Sequence, residues 1–258
     1  MPVKMGQITF LGNAGGRMAT YSQLGPTGGF VIQDKITFHV DPGPGALLLA
    51  YKHKLDPRLF DGVIVSHCHP DHYNDAEILI EAITEGCKAK RGFLVAPKSV
   101  ISGNEHFDSP ISSYHRDHLD HLYAMDSGDI ISIQGIQITA TKSFHNDSDA
   151  IGFKFKFQND VISYISDTEY FPELASYHGG ADILILTLTR PDNLKLRGHM
   201  CTNEAINLIQ EIGPKKVILT HFGMRMFEAN PETQARLIEN ETGVNISVAE
   251  VGRTAEFS

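Results

Sequence analysis

Short apolar runs, each ended by glycine, proline or a polar cluster, recur along the chain and interleave with segments of helical period. Runs with strand character cover residues 7–11, 29–33, 35–40, 62–65, 93–96, 129–133, 137–140, 151–157, 161–165, 182–188 and 217–220, with a last one near 244–251. Helical spacing covers residues 47–55, 75–85, 171–177, 203–211 and 231–240. In the second of these, Ile78, Leu79, Ala82 and Ile83 are expected on the buried face, with Gly86 as the stop. Thr202 is expected to cap the fourth, and Gly213-Pro214 to end it. Residues 102–121 are irregular and polar, so His106, His115, His118 and His121 are read as solvated.

Strands and helices alternate without a linker, low-complexity run or short-period repeat, which predicts one α/β domain over residues 1–258. The length suffices for a substantial core. A net charge of −9 argues against extended nucleic-acid binding but leaves room for a local basic segment. Cys68, Cys87 and Cys201 form no disulfide framework and fit a reducing compartment. The first ten residues lack the apolar core of a signal peptide, and no run reaches membrane-spanning length, so the cytoplasm is the expected location. A homo-oligomer is compatible with the sequence.

The run at residues 62–65 leads directly into Ser66-His-Cys-His-Pro-Asp-His72. In an extended stretch His67 and His69 point the same way, while the adjacent Asp71 and His72 diverge, so one segment can serve two neighbouring ions. Imidazole with carboxylate suits zinc, with manganese or iron as alternatives, and the absence of a cysteine cluster argues against a closed structural zinc site. Cys68 falls in the opposite phase and reads as a small buried residue. The remaining ligands of such a site belong at other strand ends, where the scaffold is rigid and the loop exposes polar groups. Three strand ends qualify, carrying His145, Asp167 and His221. His67, His69 and His145 would hold one ion, Asp71, His72 and His221 a second, and Asp167 would bridge them. A hydroxide formed between the ions at neutral pH would be the nucleophile.

This set, H-x-H-x-D-H followed by a separate His, Asp and His, resembles the metallo-β-lactamase fold superfamily over nearly the whole chain. The resemblance implies an αββα four-layer sandwich of two mixed sheets with outer helices. It also implies that Asp41, at the turn Asp41-Pro-Gly-Pro-Gly45, orients a metal ligand from behind.

Fold and metals leave the substrate open. Ser166-Asp-Thr168, Gly198-His199 with Thr202, Glu204 and Ala205, and Leu219-Thr-His-Phe222 with Arg225 resemble stretches of ribonuclease Z and its phosphodiesterase relatives. In those enzymes the histidine matching His199 assists protonation of the leaving oxygen, so His199 and Asp71 are the catalytic candidates. Arg190, Lys195 and Arg197 form a basic segment suited to phosphate. The long tRNA-binding arm of ribonuclease Z has no counterpart between His145 and Asp167, and the continuation after His72 also departs from that pattern. The expected function is therefore a dinuclear metal-dependent phosphodiesterase acting on a small, cyclic or short nucleic-acid substrate. A lactone, thioester or carboxyl-ester hydrolase, and a non-catalytic metal-bearing binding protein, are the alternatives.

Overall fold

The computed structural model describes residues 5–258. Met1 to Lys4, on which part of the reading of the chain start rests, lie outside the described residues. The strands are β1 Gly6–Gly12, β2 Thr27–Gln33, β3 Thr37–Val40, β4 Gly62–Ile64, β5 Phe93–Ala96, β6 His121–Ala124, β7 Ile130–Ile133, β8 Ile136–Lys142, β9 Ile151–Lys156, β10 Val161–Ile165, β11 Ile183–Thr187, β12 Lys216–Thr220, β13 Asn245–Val248 and β14 Thr254–Phe257. They are distributed over two compact units. The first takes residues 5–13, Pro26–Asp126 and Glu250–Ser258, and the second takes Ala14–Gly25 and Ser127–Ala249.

The first unit contains one seven-stranded mixed sheet in the order β14-β1-β2-β3-β4-β5-β6. Its pairings from β14 to β3 are antiparallel and those from β3 to β6 are parallel. β4 and β5 are apolar and buried at every position, as strands covered on both faces require. The helix Ala76–Ile83 packs on this sheet through Ala76, Leu79, Ile80 and Ile83. That face differs from the expected one. Ile78 is 43% exposed, because the segment carries apolar residues on two helical stripes and the sheet selects the one containing Ile80.

The second unit repeats the plan with the order β13-β12-β11-β10-β9-β8-β7. Pairings from β13 to β10 are parallel and those from β10 to β7 antiparallel. Two antiparallel steps separate β8 from β10, so β8 runs in the same direction as β10, β11 and β12. The carboxyl ends of these four strands therefore share one edge of the sheet. The helix Thr202–Ile212 buries Thr202, Ala205, Leu208 and Ile209 against it and ends at Gly213, whose φ of 63° needs no Cβ. Its N-cap is Cys201 rather than Thr202, and Glu204 closes the turn by accepting from the Cys201 N–H at 3.1 Å.

Other differences are local. The apolar stretch read as one strand near residues 244–251 is followed by a separate β14, with Gly252 at φ 81° turning the chain between β13 and β14. The helices Arg17–Tyr21 and Met224–Ala229 carried no long periodic signal. Within the region read as solvated, His115 lies 3.0 Å from both Glu77 and Glu81, and β6 begins at His121. Among the described residues, no helix is long and apolar enough to cross a membrane.

Candidate metal centre

In the first unit the chain leaves β4 at Val65 and the next residues turn sharply. His67 and His69 precede a single helical turn, Pro70–Tyr73, that holds Asp71 and His72. Extended alternation therefore does not describe this segment: residues 67 and 68 form a bend, and the His67 and His69 rings meet across it. Asp71 and His72 diverge instead by the roughly 100° between neighbours on a helix. His67, Asp71 and His72 are buried, and His69 is half-buried. His67 Nε2 and His69 Nδ1 stand 3.0 Å apart, and His72 Nε2 lies 3.7 Å from Asp71 Oδ2.

Asp41 organises this segment from the end of β3. Its carboxylate accepts from Ser66 N at 2.7 Å, from the Ser66 hydroxyl at 2.7 Å and from His72 Nδ1 at 2.8 Å, all buried. Asp41 itself sits at φ 50°, a conformation that costs about 1–3 kcal/mol in a non-glycine residue and persists where the surroundings over-determine it. Gly43 makes the approach feasible, since a Cβ there would stand 2.1 Å from the Asp71 carbonyl oxygen. Ser66, which the sequence pattern did not single out, also lies 3.0 Å from His67 Nδ1. One carboxylate and one hydroxyl thereby orient two imidazoles through Nδ1 and leave both Nε2 atoms directed at other ligands.

In the second unit the ends of β8, β10 and β12 carry His145, Asp167 and His221, and the loop before the helix Thr202–Ile212 carries His199. Asp167 lies 3.8 Å from His145 Nε2, 3.3 Å from His221 Nε2 and 3.5 Å from His199 Nδ1. His145, Asp167 and His199 offer ligand atoms that all fall within 4.8 Å of one another. The His199 ring is edge-on to His145 at 5.0 Å and stacked near His221 at 6.2 Å.

Neutral groups orient this set. His145 Nδ1 donates to Gly198 O at 2.7 Å, and Gly198 N donates to Glu169 Oε2 at 3.0 Å. Thr189, just beyond β11, places its hydroxyl 3.2 Å from His221 Nδ1 and 3.3 Å from His199 Nδ1. His221 has φ 61°, and Gly15 lies so close that a Cβ there would stand 2.1 Å from the imidazole. Glu169, Thr189 and Gly15 escaped the sequence reading: Thr189 and Gly15 are not metal-ligand types, and Glu169, although its carboxylate could be one, stands outside the ligand pattern and acts here only through the Gly198 N–H. The strand-end position of Thr189 was the available signal.

The donor chemistry of both sets fits divalent metal. Histidines held through Nδ1 with Nε2 facing a carboxylate or a second imidazole are the arrangement that imidazole ligation needs. The separations of 3.0 to 3.8 Å bracket the roughly 3.3 Å between two ligand atoms on a tetrahedral ion with bonds of about 2.0–2.1 Å. Of the basic segment, Lys195 is exposed and paired with Glu204 at 3.0 Å, Arg197 is exposed and Arg190 is half-buried.

The family model described as beta-lactamase superfamily domain matches residues 37–222, and the chain belongs to that family. A Methanocaldococcus jannaschii protein, MJ1374, described as uncharacterized, is 38% identical over 97% of this chain and 95% of its own length. The metallo-β-lactamase fold protein YhfI from Bacillus subtilis superposes with a TM-score of 0.80 at 19% identity, covering 98% of this chain and all of that one (100%). A diphosphatase from the PhnP family superposes at 0.72 with 17% identity, covering 98% and 97% respectively. These likenesses show the metallo-β-lactamase fold that the sequence motifs implied.

Proposed function

We propose that this protein is a dinuclear metal-dependent phosphodiesterase acting on a small, cyclic or short nucleic-acid substrate. His67, His69 and His145 would hold one ion and Asp71, His72 and His221 the other, with Asp167 shared; zinc suits these donors, as do manganese and iron. The bound ions would supply a water-derived nucleophile at neutral pH and neutralise phosphoryl oxygens.

The observation that carries the choice of phosphorus over carbon is His199. Its side chain is only 13% exposed, it lies beside Asp167, and it belongs to no pair needed to complete the seven ligands. A departing alkoxide needs a proton, and an imidazole next to the ligands is the group suited to give it. Asp41 orients His72, Gly198 orients His145, and Arg190 and Arg197 are the cations offered to a phosphate, Lys195 being engaged by Glu204. The diphosphatase relative by fold also acts on phosphorus, as its name states. Cys68, Cys87 and Cys201 are thiols, which supports a reducing, cytoplasmic setting.

Zinc- or manganese-loaded protein should hydrolyse bis-p-nitrophenyl phosphate and a panel of cyclic and linear phosphodiesters in preference to lactones and thioesters. The variant H199A should keep its metal content and lose about 100-fold or more in turnover of alkyl phosphodiesters. Preferential cleavage of a lactone or thioester, with H199A close to wild type, would replace this reading by the carbon-centred one. Tight binding of phosphodiesters without product would favour a non-catalytic role.

A further inference from the structure

Thr189 occupies a position between the ends of β10 and β12 that no ligand count explains. Its hydroxyl is shared by two histidine ring nitrogens, His221 Nδ1 at 3.2 Å and His199 Nδ1 at 3.3 Å, in a residue only 5% exposed. A hydroxyl offers one hydrogen and two lone pairs, so it can accept from one of these nitrogens while donating to the other.

The direction of that pair follows from His221. Its Nε2 faces Asp167 Oδ1 at 3.3 Å, and as a metal ligand through Nε2 the ring carries its hydrogen on Nδ1. His221 then donates to Thr189, and the single hydroxyl hydrogen of Thr189 is turned towards His199 Nδ1. With that nitrogen accepting, the hydrogen of neutral His199 stands on Nε2; in the opposite arrangement the second lone pair of Thr189 would accept from His199 Nδ1–H as well, and the hydroxyl hydrogen would bond neither ring nitrogen. We propose that Thr189 is a positioning residue that sets the Nε2–H tautomer of His199, so that the ring presents a transferable proton on the nitrogen opposite Thr189. The competitor is Asp167, whose Oδ2 lies 3.5 Å from His199 Nδ1 and would draw the hydrogen to Nδ1. Thr189 is closer, and both Asp167 oxygens also face Nε2 atoms of His145 and His221, which spreads the carboxylate charge over several groups. This inference rests on the reading of His221 as a metal ligand and gives the proposed proton donor its active form.

The tautomer is directly observable. Zinc-loaded, 15N-labelled protein should show His199 protonated at Nε2 in long-range proton–nitrogen correlation spectra, with H199A assigning the resonances and metal analysis confirming equal loading. T189V and T189A remove the hydroxyl and should shift His199 to the Nδ1–H form facing Asp167, whereas T189S should match the wild type. An Nδ1–H His199 in the wild type, or an unchanged Nε2–H pattern in whichever of T189V and T189A folds, would overturn the proposal. In turnover, T189V should lose about 10- to 100-fold on phosphodiesters with alkyl leaving groups and far less on nitrophenyl esters, whose leaving group needs no proton. Absence of any phosphodiester turnover in the wild type would sink the functional reading alone, because the ring-nitrogen pattern is read without a substrate.

Discussion

The two ligand sets are built in opposite ways. In the first unit, four candidate ligands lie within the six residues from His67 to His72, and one buried carboxylate, Asp41, ties the segment down through Ser66 and His72. In the second, His145, Asp167 and His221 are far apart in the chain and meet because their strands run in the same direction, with His199 brought beside them by the loop that follows β11. Their supports are neutral or singly used: a carbonyl, a hydroxyl and a glutamate that holds a backbone N–H. A contiguous set concentrates its dependence on one charge, whereas a dispersed set spreads it over sheet register and several weaker contacts.

Acid should strain both units, because each contains one buried histidine held neutral. Burial pushes His39 in the first unit down to about 4, and burial with the nearby Lys154 charge pushes His178 in the second down to about 3. The folded chain therefore binds fewer protons than the unfolded chain below the ordinary value of 6.5. Their contribution to stability is complete above that value. It declines as pH falls, by about 1.4 kcal/mol per pH unit for each histidine, until about 4 for His39 and about 3 for His178. Denaturant unfolding at pH 7 and pH 5 should thus differ by about 4 kcal/mol from this pair, and a non-titrating residue at either position should remove about half of that slope.

Asp41 tests the concentrated dependence of the first set. Asp41→Ala leaves Ser66 N, the Ser66 hydroxyl and His72 Nδ1 without this acceptor in a buried setting, and should cost about 3 kcal/mol in denaturant unfolding. Metal affinity, read by competition with a chelator, should fall about 10- to 100-fold. An effect no larger than that of Glu169→Ala in the second unit would erase the contrast. Gly15→Ala probes one support of the dispersed set. The added Cβ would stand 2.1 Å from the His221 ring, so the ring must move, at about 1–3 kcal/mol, with weakened metal binding and the first set's contacts intact.

Legibility follows the same division. β5 was readable to the residue, since Phe93–Ala96 is uniformly apolar and bounded by polar or turn residues. The helix Ala76–Ile83 was readable, but its buried face was not, because Ile78 and Ile80 are equally apolar and only packing separates them. The ligand candidates were readable from residue type and from their position after apolar runs. Ser66, Glu169 and Thr189 were not, because serine, glutamate and threonine at a strand end are ordinary on the page and acquire a role only from what they touch.

By itself the sequence determined the local facts: most of the strands (though not β6 or the separate β14), which residue types stand at their ends, and a metal-ligand pattern specific enough to imply the fold family. Those facts rest on periodicity and short-range chemistry, which the chain carries along its length. Tertiary structure alone decided which ring nitrogen of each histidine is held and by what, that Asp41 sustains three contacts from a left-handed backbone, and that one threonine hydroxyl serves two imidazoles. These depend on distances of about 3 Å between residues separated by many positions, and hydrogen bonding of that precision exists only once strand direction and register are set.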